Sequence, residues 1–316
     1  MTHVPIVAVT GATGFIGSHL IQNLAKKKFL IKILSRRLPV NSFLSSANFE
    51  VIIGDVFDST SIAILLKNAD FLIHSAGLVK ARNVSDFYKY NVEAVSHIVT
   101  LAQHYNPKIK VILISSLAAR EPHLSSYAKS KAQGEKIIHA SSLEYWIVRP
   151  PAVYGPGDTE ILPFFKLAQK GFAFLPNKGQ GRFSMIHVDD LTECLTSIIQ
   201  FLPPNRSIFE PDDQQIFGYS WQDIVGIMSL IMKKKIISFK ISPFVLNIIA
   251  TANSWYKSFN SLYVPMLTQE KIKELTHDNW ICNKSSMDLL KEWKPKIPLS
   301  QGFQETFDFY KKAGWL

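Results

Sequence analysis

The chain has 316 residues, a net charge of +10, 47% hydrophobic and 19% charged residues, which excludes a disordered polymer and fits one large domain or two intimate ones. Its apolar runs break well short of the ~18 residues a membrane-spanning helix needs, and the N-terminus "MTHVPIVAVTGATG" lacks the regions of a secretion signal and reads directly as a strand. Cys194 and Cys282 have no metal-ligand spacing, and the lysines fall in short clusters rather than a stripe with interleaved aromatics, so no metal and no nucleic acid are expected, and a reducing, cytoplasmic setting is.

Short apolar strands alternate with helices up to Pro150. "VPIVAVT" reads as a strand, and "FIGSHLIQNLAKKK" as a helix with apolar spacing at Phe15, Ile16, Leu20 and Leu24. "LIKILS" and "FEVIIGD" are strands, "TSIAILLKN" a short helix and "DFLIHSAG" a strand. "VSDFYKYNVEAVSHIVTLAQHY" predicts one long helix, "KVILISS" a strand, "SSYAKSKAQGEKIIHAS" a helix and "EYWIVRP" a strand. Six such strands separated by helices predict a parallel sheet covered on both faces, and right-handed crossovers make it doubly wound. The expected class is α/β: a doubly wound parallel sheet of the Rossmann type with a smaller C-terminal substrate-binding lobe.

After Pro150 the pattern changes. "RPPAVYGPGD" is rich in turn residues, "PFFKLAQKG" is a helix ending at Gly171, and "FSMIHVDDLTECLTSIIQFL" is a strand leading into another helix. The expected division gives 1–157 and about 183–218 to the nucleotide-binding domain, and about 158–182 with 219–316 to the lobe.

The first strand runs straight into "TGATGFIGSHL". Gly11, Gly14 and Gly17 form G-x-x-G-x-x-G between a strand and a helix. One glycine permits a tight turn, one lets the backbone approach a pyrophosphate, and one lets helix and strand pack closely. The helix then points free N–H groups at phosphate. Gly11, Thr13, Gly14, Phe15, Ile16 and Gly17 are thereby candidates for holding a dinucleotide. NAD binders usually carry an acid at the end of the second strand; here "ILSRR" places Arg36 and Arg37 there. Arginine suits a 2′-phosphate, so NADP(H) is expected as the preferred cofactor and NAD(H) is the alternative.

"TGATGFIGSHL", "GDVFD", "HSAG", "SSYAKSKAQGE", "RPPAVYGPGD" and "IHVDDL" occur in that order. Together they resemble the extended short-chain dehydrogenase/reductase superfamily, also called the NAD-dependent epimerase/dehydratase family. The tail "WKPKIPLSQGFQETFDFYKKAGWL" resembles that family's ending, so the resemblance covers nearly the whole chain. It implies that Asp55 and Val56 contact adenine and that His74 to Gly77, with Ser75, Ala76 and Gly77, lie beside the adenosine ribose. It implies that Pro150 to Val153 touch the nicotinamide. Tyr127 and Lys131 match the catalytic pair, Asn91 a helical asparagine that braces the sheet, and Ser116 the hydroxyl partner, with Ser115 as its competitor.

The chemistry explains the residue types. Tyr127 and Lys131, four apart, share a helix face. Reducing a carbonyl needs a proton for the growing alkoxide. A tyrosine hydroxyl titrates near 10, and moving it to ~7 takes about 4 kcal/mol of phenolate stabilisation. A neighbouring ammonium supplies part of that and the oxidised nicotinamide more. Ser116 would polarise the carbonyl oxygen. Asn91, if the family relay applies, would hold a backbone carbonyl and a water near Lys131.

The lobe is aromatic and apolar. Arg182 and His187 stand where family members often reach toward substrate or cofactor. Arg182 reads equally as a phosphate ligand or as half of a loop ion pair. A helix over 243–259 places residues 244, 245, 248, 249, 255 and 256 on one face, beside Lys233 to Lys235. Core packing, a lid and a peripheral membrane face all fit it.

"VRPPAVYGPGD" lacks the asparagine that sugar-nucleotide members tend to carry after the sixth strand. It resembles the reductase and hydroxysteroid-dehydrogenase branches, including dihydroflavonol-reductase-like proteins. The expected activity is hydride transfer between NADP(H) and a carbonyl or alcohol of a fairly apolar small molecule. Two alternatives stand beside it: an NAD-dependent nucleotide-sugar epimerase or dehydratase, and a non-catalytic nucleotide-binding or assembly protein. A homodimer is a family expectation.

Overall fold

The computed structural model describes residues 3–38, 47–179, 181–248, 250–251 and 268–316. Seven strands form one parallel sheet in the order β11-β6-β5-β4-β1-β2-β3. At its centre β1 (Ile6–Thr10) pairs with β2 (Leu30–Ser35) on one side and β4 (Phe71–His74) on the other. β3 (Glu50–Ile53), β5 (Lys110–Ile114), β6 (Glu144–Val148) and β11 (Ile208–Phe209) complete it. Strand order reverses between β1 and β4, and ligands of such sheets bind in the crevice beyond the strand C-termini at that reversal.

Strand alternation explains the two layers. Val7 and Val9 pack one way, with Leu20 and Leu24 of α1 (Phe15–Lys26) and Leu191 and Leu195 of α7 (Val188–Phe201). Ala8 faces the other way, into a core with Leu65 of α2 (Ser59–Leu66), Ile98 of α4 (Ala94–Tyr105) and Ile138 of α5 (Ser126–His139). Both faces are apolar because both are covered, as a buried parallel sheet requires.

The long helix expected over "VSDFYKYNVEAVSHIVTLAQHY" is interrupted. α3 (Val84–Tyr88) passes into a π-helical turn at Lys89–Glu93 before α4 begins. Asn91 occupies this wider turn, and such turns are frequent at functional sites.

The smaller lobe has its own core. Phe165 of α6 (Leu162–Gln169), Met228 of α8 (Trp221–Ile231) and Phe303 and Tyr310 of the C-terminal helix Leu299–Lys312 meet there. Two short strands absent from the sequence expectation, β8 (Phe172–Leu175) and β12 (Ile237–Lys240), pair in parallel at its edge. The helix expected over 243–259 is present at 243–248 and 250–251; its remainder, with positions 255 and 256, lies outside the described residues. Among the described residues no helix is long and apolar enough to cross a membrane.

Candidate active site

The glycine loop lies at the strand reversal. Gly11 has φ +73°, and a Cβ there would stand 2.6 Å from the Ala76 nitrogen, so the β1 and β4 loops close on each other only around glycine. A Cβ on Gly17 would stand 2.1 Å from the Gly11 carbonyl oxygen, which ties α1 tightly to the turn. α1 is unlike its neighbours at its N-terminus. Asp58 caps α2 and Ser125 caps α5 with side-chain oxygens, but α1 starts at Gly14 with no side-chain cap and no acid in its first turn. Its N–H groups and positive dipole end are left for an anion, which fits a dinucleotide pyrophosphate.

The remaining predicted cofactor residues rim the same crevice. Thr13 is exposed beside Gly14, and Phe15 and Ile16 are half-buried in the first turn of α1. Arg36 and Arg37 are exposed just past the end of β2, where the buried Ser35 hydroxyl donates to the Arg37 carbonyl at 2.6 Å. Asp55 accepts the Phe57 N–H at 3.1 Å, and Val56 is buried. Ser75 and Ala76 are half-buried and Gly77 exposed just beyond β4. A Cβ on Gly77 would meet Asn91 Oδ1 at 2.8 Å and Lys131 Nζ at 3.4 Å, so glycine keeps the way to Lys131 open. Pro150 is buried, accepting the Leu117 N–H at 2.9 Å, and Val153 is half-buried on the core.

Ser116, Tyr127 and Lys131 come together beyond the end of β5. Ser116 leads the turn after β5, its Oγ accepting the Ala118 N–H at 3.2 Å, and it lies near enough to Tyr127 to work against the rise of the phenol's pKa. Lys131 Nζ donates to the Ile114 carbonyl at 3.0 Å. The competing serine is occupied: Ser115 Oγ donates to the buried Glu135 at 2.5 Å. Asn91 braces the site from the π turn. Its Oδ1 accepts the Leu78 N–H at 2.9 Å, and its Nδ2 donates to Leu78 O and Ser130 Oγ, both at 3.0 Å. Ser130 Oγ in turn donates to the Tyr127 carbonyl at 2.7 Å. A small cavity of about 10 Å³, room for one water, is lined by His74, Asn91, Ser115, Lys131 and Gly134.

The electrostatics of the chain alone run the other way from a lowered phenol. The chain's own residues push Tyr127 up to about 12 instead of toward neutrality, chiefly through burial, against which Ser116 works; Glu274 and Glu160 add to the rise. The phenol is therefore protonated at neutral pH, the form that can give up a proton. Burial also holds Lys131 below its ordinary range, at about 8, with Glu135 opposing. That pKa lies below the unfolded value of 10.5, so between the two the folded chain binds fewer protons and stability rises with pH. Without nucleotide, the wild type is expected to gain melting temperature relative to Lys131→Met as pH rises from about 7 to about 10. Parallel thermal melts check this, and a constant difference would mean that Lys131 titrates as in water.

The two substrate candidates fare differently from the triad. His187 is fully buried. Its Nδ1 accepts the Asp189 N–H at 3.3 Å to cap α7, and its ring packs edge-on against Tyr154 at 5.4 Å. It belongs to the packing between β7 (Ala152–Tyr154) and α7, not to a cleft wall, because a strand residue paired with the buried Tyr154 points inward. Arg182 is half-exposed and stands 3.7 Å from Asp223, the loop ion pair.

Sequence reasoning missed a buried chain of charges under the triad. Glu135 is held by Arg149 at 2.9 and 2.6 Å, Arg149 stands 3.5 Å from Glu210, and Arg120 contacts Glu210 at 3.1 Å. Arg120 also donates to the Ile281 carbonyl, and Glu210 accepts the Asn283 N–H, which carries the chain of charges into the C-terminal segment. It also missed a clamp on α5: Ser126 binds Glu270 through its N–H at 3.1 Å and its hydroxyl at 2.7 Å, and Ser125 donates to Glu274. Both carboxylates come from the helix Gln269–Thr276 and sit at the positive end of α5, beside Tyr127.

The model of the NAD dependent epimerase/dehydratase family matches residues 7–208. The chain is 38% identical over 314 residues to the ceramide reductase of Caulobacter vibrioides, covering 98% of this chain and 96% of that protein. It is 23% identical over 330 residues to the decarboxylating sterol-4-alpha-carboxylate 3-dehydrogenase of Dictyostelium discoideum, covering 95% and 99%. The solved structure of MoeE5 in complex with UDP-glucuronic acid and NAD superposes with a TM-score of 0.75 at 17% identity, covering 98% of this chain and 99% of that one. At that identity the likeness speaks for the fold.

Proposed function

This chain belongs to the NAD dependent epimerase/dehydratase family, and on that premise we propose that it is a nicotinamide-dependent reductase of a long-chain lipid ketone. The observation that carries the reading is the convergence of Ser116, Tyr127 and Lys131 beside the uncapped glycine-loop helix. A bound nicotinamide supplies the hydride that becomes the new C–H bond. The chain's residues do the rest. Ser116 Oγ fixes the substrate carbonyl oxygen, and Tyr127 delivers its phenolic proton to that oxygen as the charge grows. Lys131, mostly ammonium at neutral pH, stabilises the phenolate left behind, and Asn91 holds the loop at Leu78 that faces it. Arg36 and Arg37 support NADP(H) over NAD(H), since guanidinium groups at this place suit a 2′-phosphate.

The full-length likeness to a ceramide reductase supports an apolar substrate of that class. The triad requires a carbonyl, so on such a lipid the reacting carbon would be the ketone at the position of the secondary alcohol. The test offers the protein NADPH or NADH with a ceramide analogue oxidised at that alcohol, and UDP-glucose in parallel. NADPH is expected to be consumed with the lipid ketone only. Replacing both Arg36 and Arg37 by Ala is expected to raise KM for NADPH about 10- to 100-fold while leaving NADH little changed. Tightly retained NAD and conversion of the nucleotide sugar without net cofactor consumption would overturn the reading in favour of an epimerase.

A further inference from the structure

The lobe edge carries an apolar surface that the site does not use. β8 and β12 pair with Phe172 opposite Ile237 and Phe174 opposite Phe239, so alternation sends all four side chains to one face. They are 41 to 50% exposed, and the Phe239 ring lies 6.1 Å from Phe172 and 6.0 Å from Phe174. Two residues after β12 ends, the helical stretch from 243 exposes Phe244, Val245 and Ile248 as well. Contiguous exposed apolar surface of this kind marks an interaction site.

The charges around it select the partner. Residues 162–175 and 224–251 contain six lysines and no Asp or Glu. Lys166, Lys170, Lys233, Lys234, Lys235 and Lys240 are all exposed; Lys235 is in step with Ile237 and Phe239 along the strand, whereas Lys240 points to the other face of β12. A second copy of the chain docking here by two-fold symmetry would set lysine against lysine. An anionic lipid surface satisfies both features: its headgroups neutralise the lysines and its acyl boundary receives the phenylalanines.

We propose that β8, β12 and the helical stretch from 243 form a docking face for an anionic lipid bilayer. The face is mechanically close to the triad. Leu246 and Ala250 pack with Ile272 of the helix Gln269–Thr276, and that helix holds Ser125 and Ser126 at the start of α5, next to Tyr127. A lipid leaving the bilayer here enters beside the helix that clamps the catalytic tyrosine. The docking inference stands on the surface itself and does not depend on which substrate is reduced.

The test is co-sedimentation of the whole protein with vesicles of phosphatidylcholine alone or with about one-third phosphatidylglycerol, without substrate or nucleotide. Binding is expected only to the anionic vesicles and is expected to fall steeply in about 1 M salt, where surface charges are screened. Phe174→Ser with Phe239→Ser, and separately Lys233→Glu with Lys235→Glu, are each expected to reduce it at least tenfold. Unchanged melting temperature and nucleotide binding would confirm that both variants fold. Equal binding to both vesicle types, no binding to either, or binding untouched by both variants would overturn the proposal. So would a vesicle-free dimer dissolved by the phenylalanine variant, which would assign the face to a second copy. Vesicle binding with no ketone reduction would leave this inference standing and defeat the reductase reading alone.

Discussion

Tyr127→Phe is expected to lower turnover of the lipid ketone by about two to four orders of magnitude, the usual worth of a positioned general acid. Nucleotide affinity is expected to stay within a few-fold of wild type. The substitution removes only the hydroxyl. The ring keeps its place 5.8 Å from Phe87, and the Ser130 bond to the residue 127 carbonyl is untouched. Ser116 still stands at the end of β5, but the phenolic proton that the proposed mechanism delivers is gone. Stopped-flow NADPH oxidation and fluorescence titration of NADPH separate the two effects. Turnover within threefold of wild type would remove Tyr127 from the chemistry. Loss of nucleotide binding with turnover would mean that the phenol is a binding group.

The pH dependence of that reaction follows from the same geometry. Lys131 loses its proton at about 8 in the nucleotide-free protein, and Tyr127 at about 12. In the proposed mechanism the ammonium that would steady the phenolate is thus the group that fails first as pH rises. The proton on Tyr127 survives well beyond it, held by burial and by Glu274 and Glu160, so the reductive direction has its acid in the right form throughout the neutral range.

What could be read in the sequence was what is local in the chain. Gly11, Gly14 and Gly17 fall within one turn, and Tyr127 and Lys131 within one helix, so spacing alone carries their geometry. The alternation of Val7, Ala8 and Val9 between two cores follows equally from strand period. What escaped is what distant segments make together. Glu274 reaches Ser125 across 149 positions and Arg120 reaches Ile281 across 161, and neither pairing has a local signature. The π turn at Asn91 escaped for a different reason. A wider turn leaves no mark in helical propensity, and the contact that accompanies it, Asn91 on Leu78, is tertiary. His187 is placed by the resemblance alone, at a position where family members often reach toward substrate or cofactor, and that signal carries no information on the strand register that buries it here.

Arg149→Met is expected to cost about 3–5 kcal/mol of stability, since breaking a buried pair from one side leaves its partner uncompensated. Arg149 makes two hydrogen bonds to Glu135 and stands 3.5 Å from Glu210, and the two glutamates are only 4% and 5% exposed. Glu135 would keep Ser115 as its donor, and Glu210 would keep Arg120 and the Asn283 N–H. These neutral or shared contacts cannot replace a bidentate guanidinium. At roughly 1.5 °C per kcal/mol for a chain of this size, melting should fall by roughly 5–8 °C. A second substitution separates the cost of an orphaned charge from the worth of the pair. Glu135→Met added to Arg149→Met removes the orphan, so the double variant is expected to melt above Arg149→Met alone. A single variant within about 2 °C of wild type would mean that water reaches the carboxylates and that the charge chain is not structural. A double variant melting lower still would mean that Glu135 stabilises mainly through Ser115. In that case Ser115, and not the arginine, sets the end of β5.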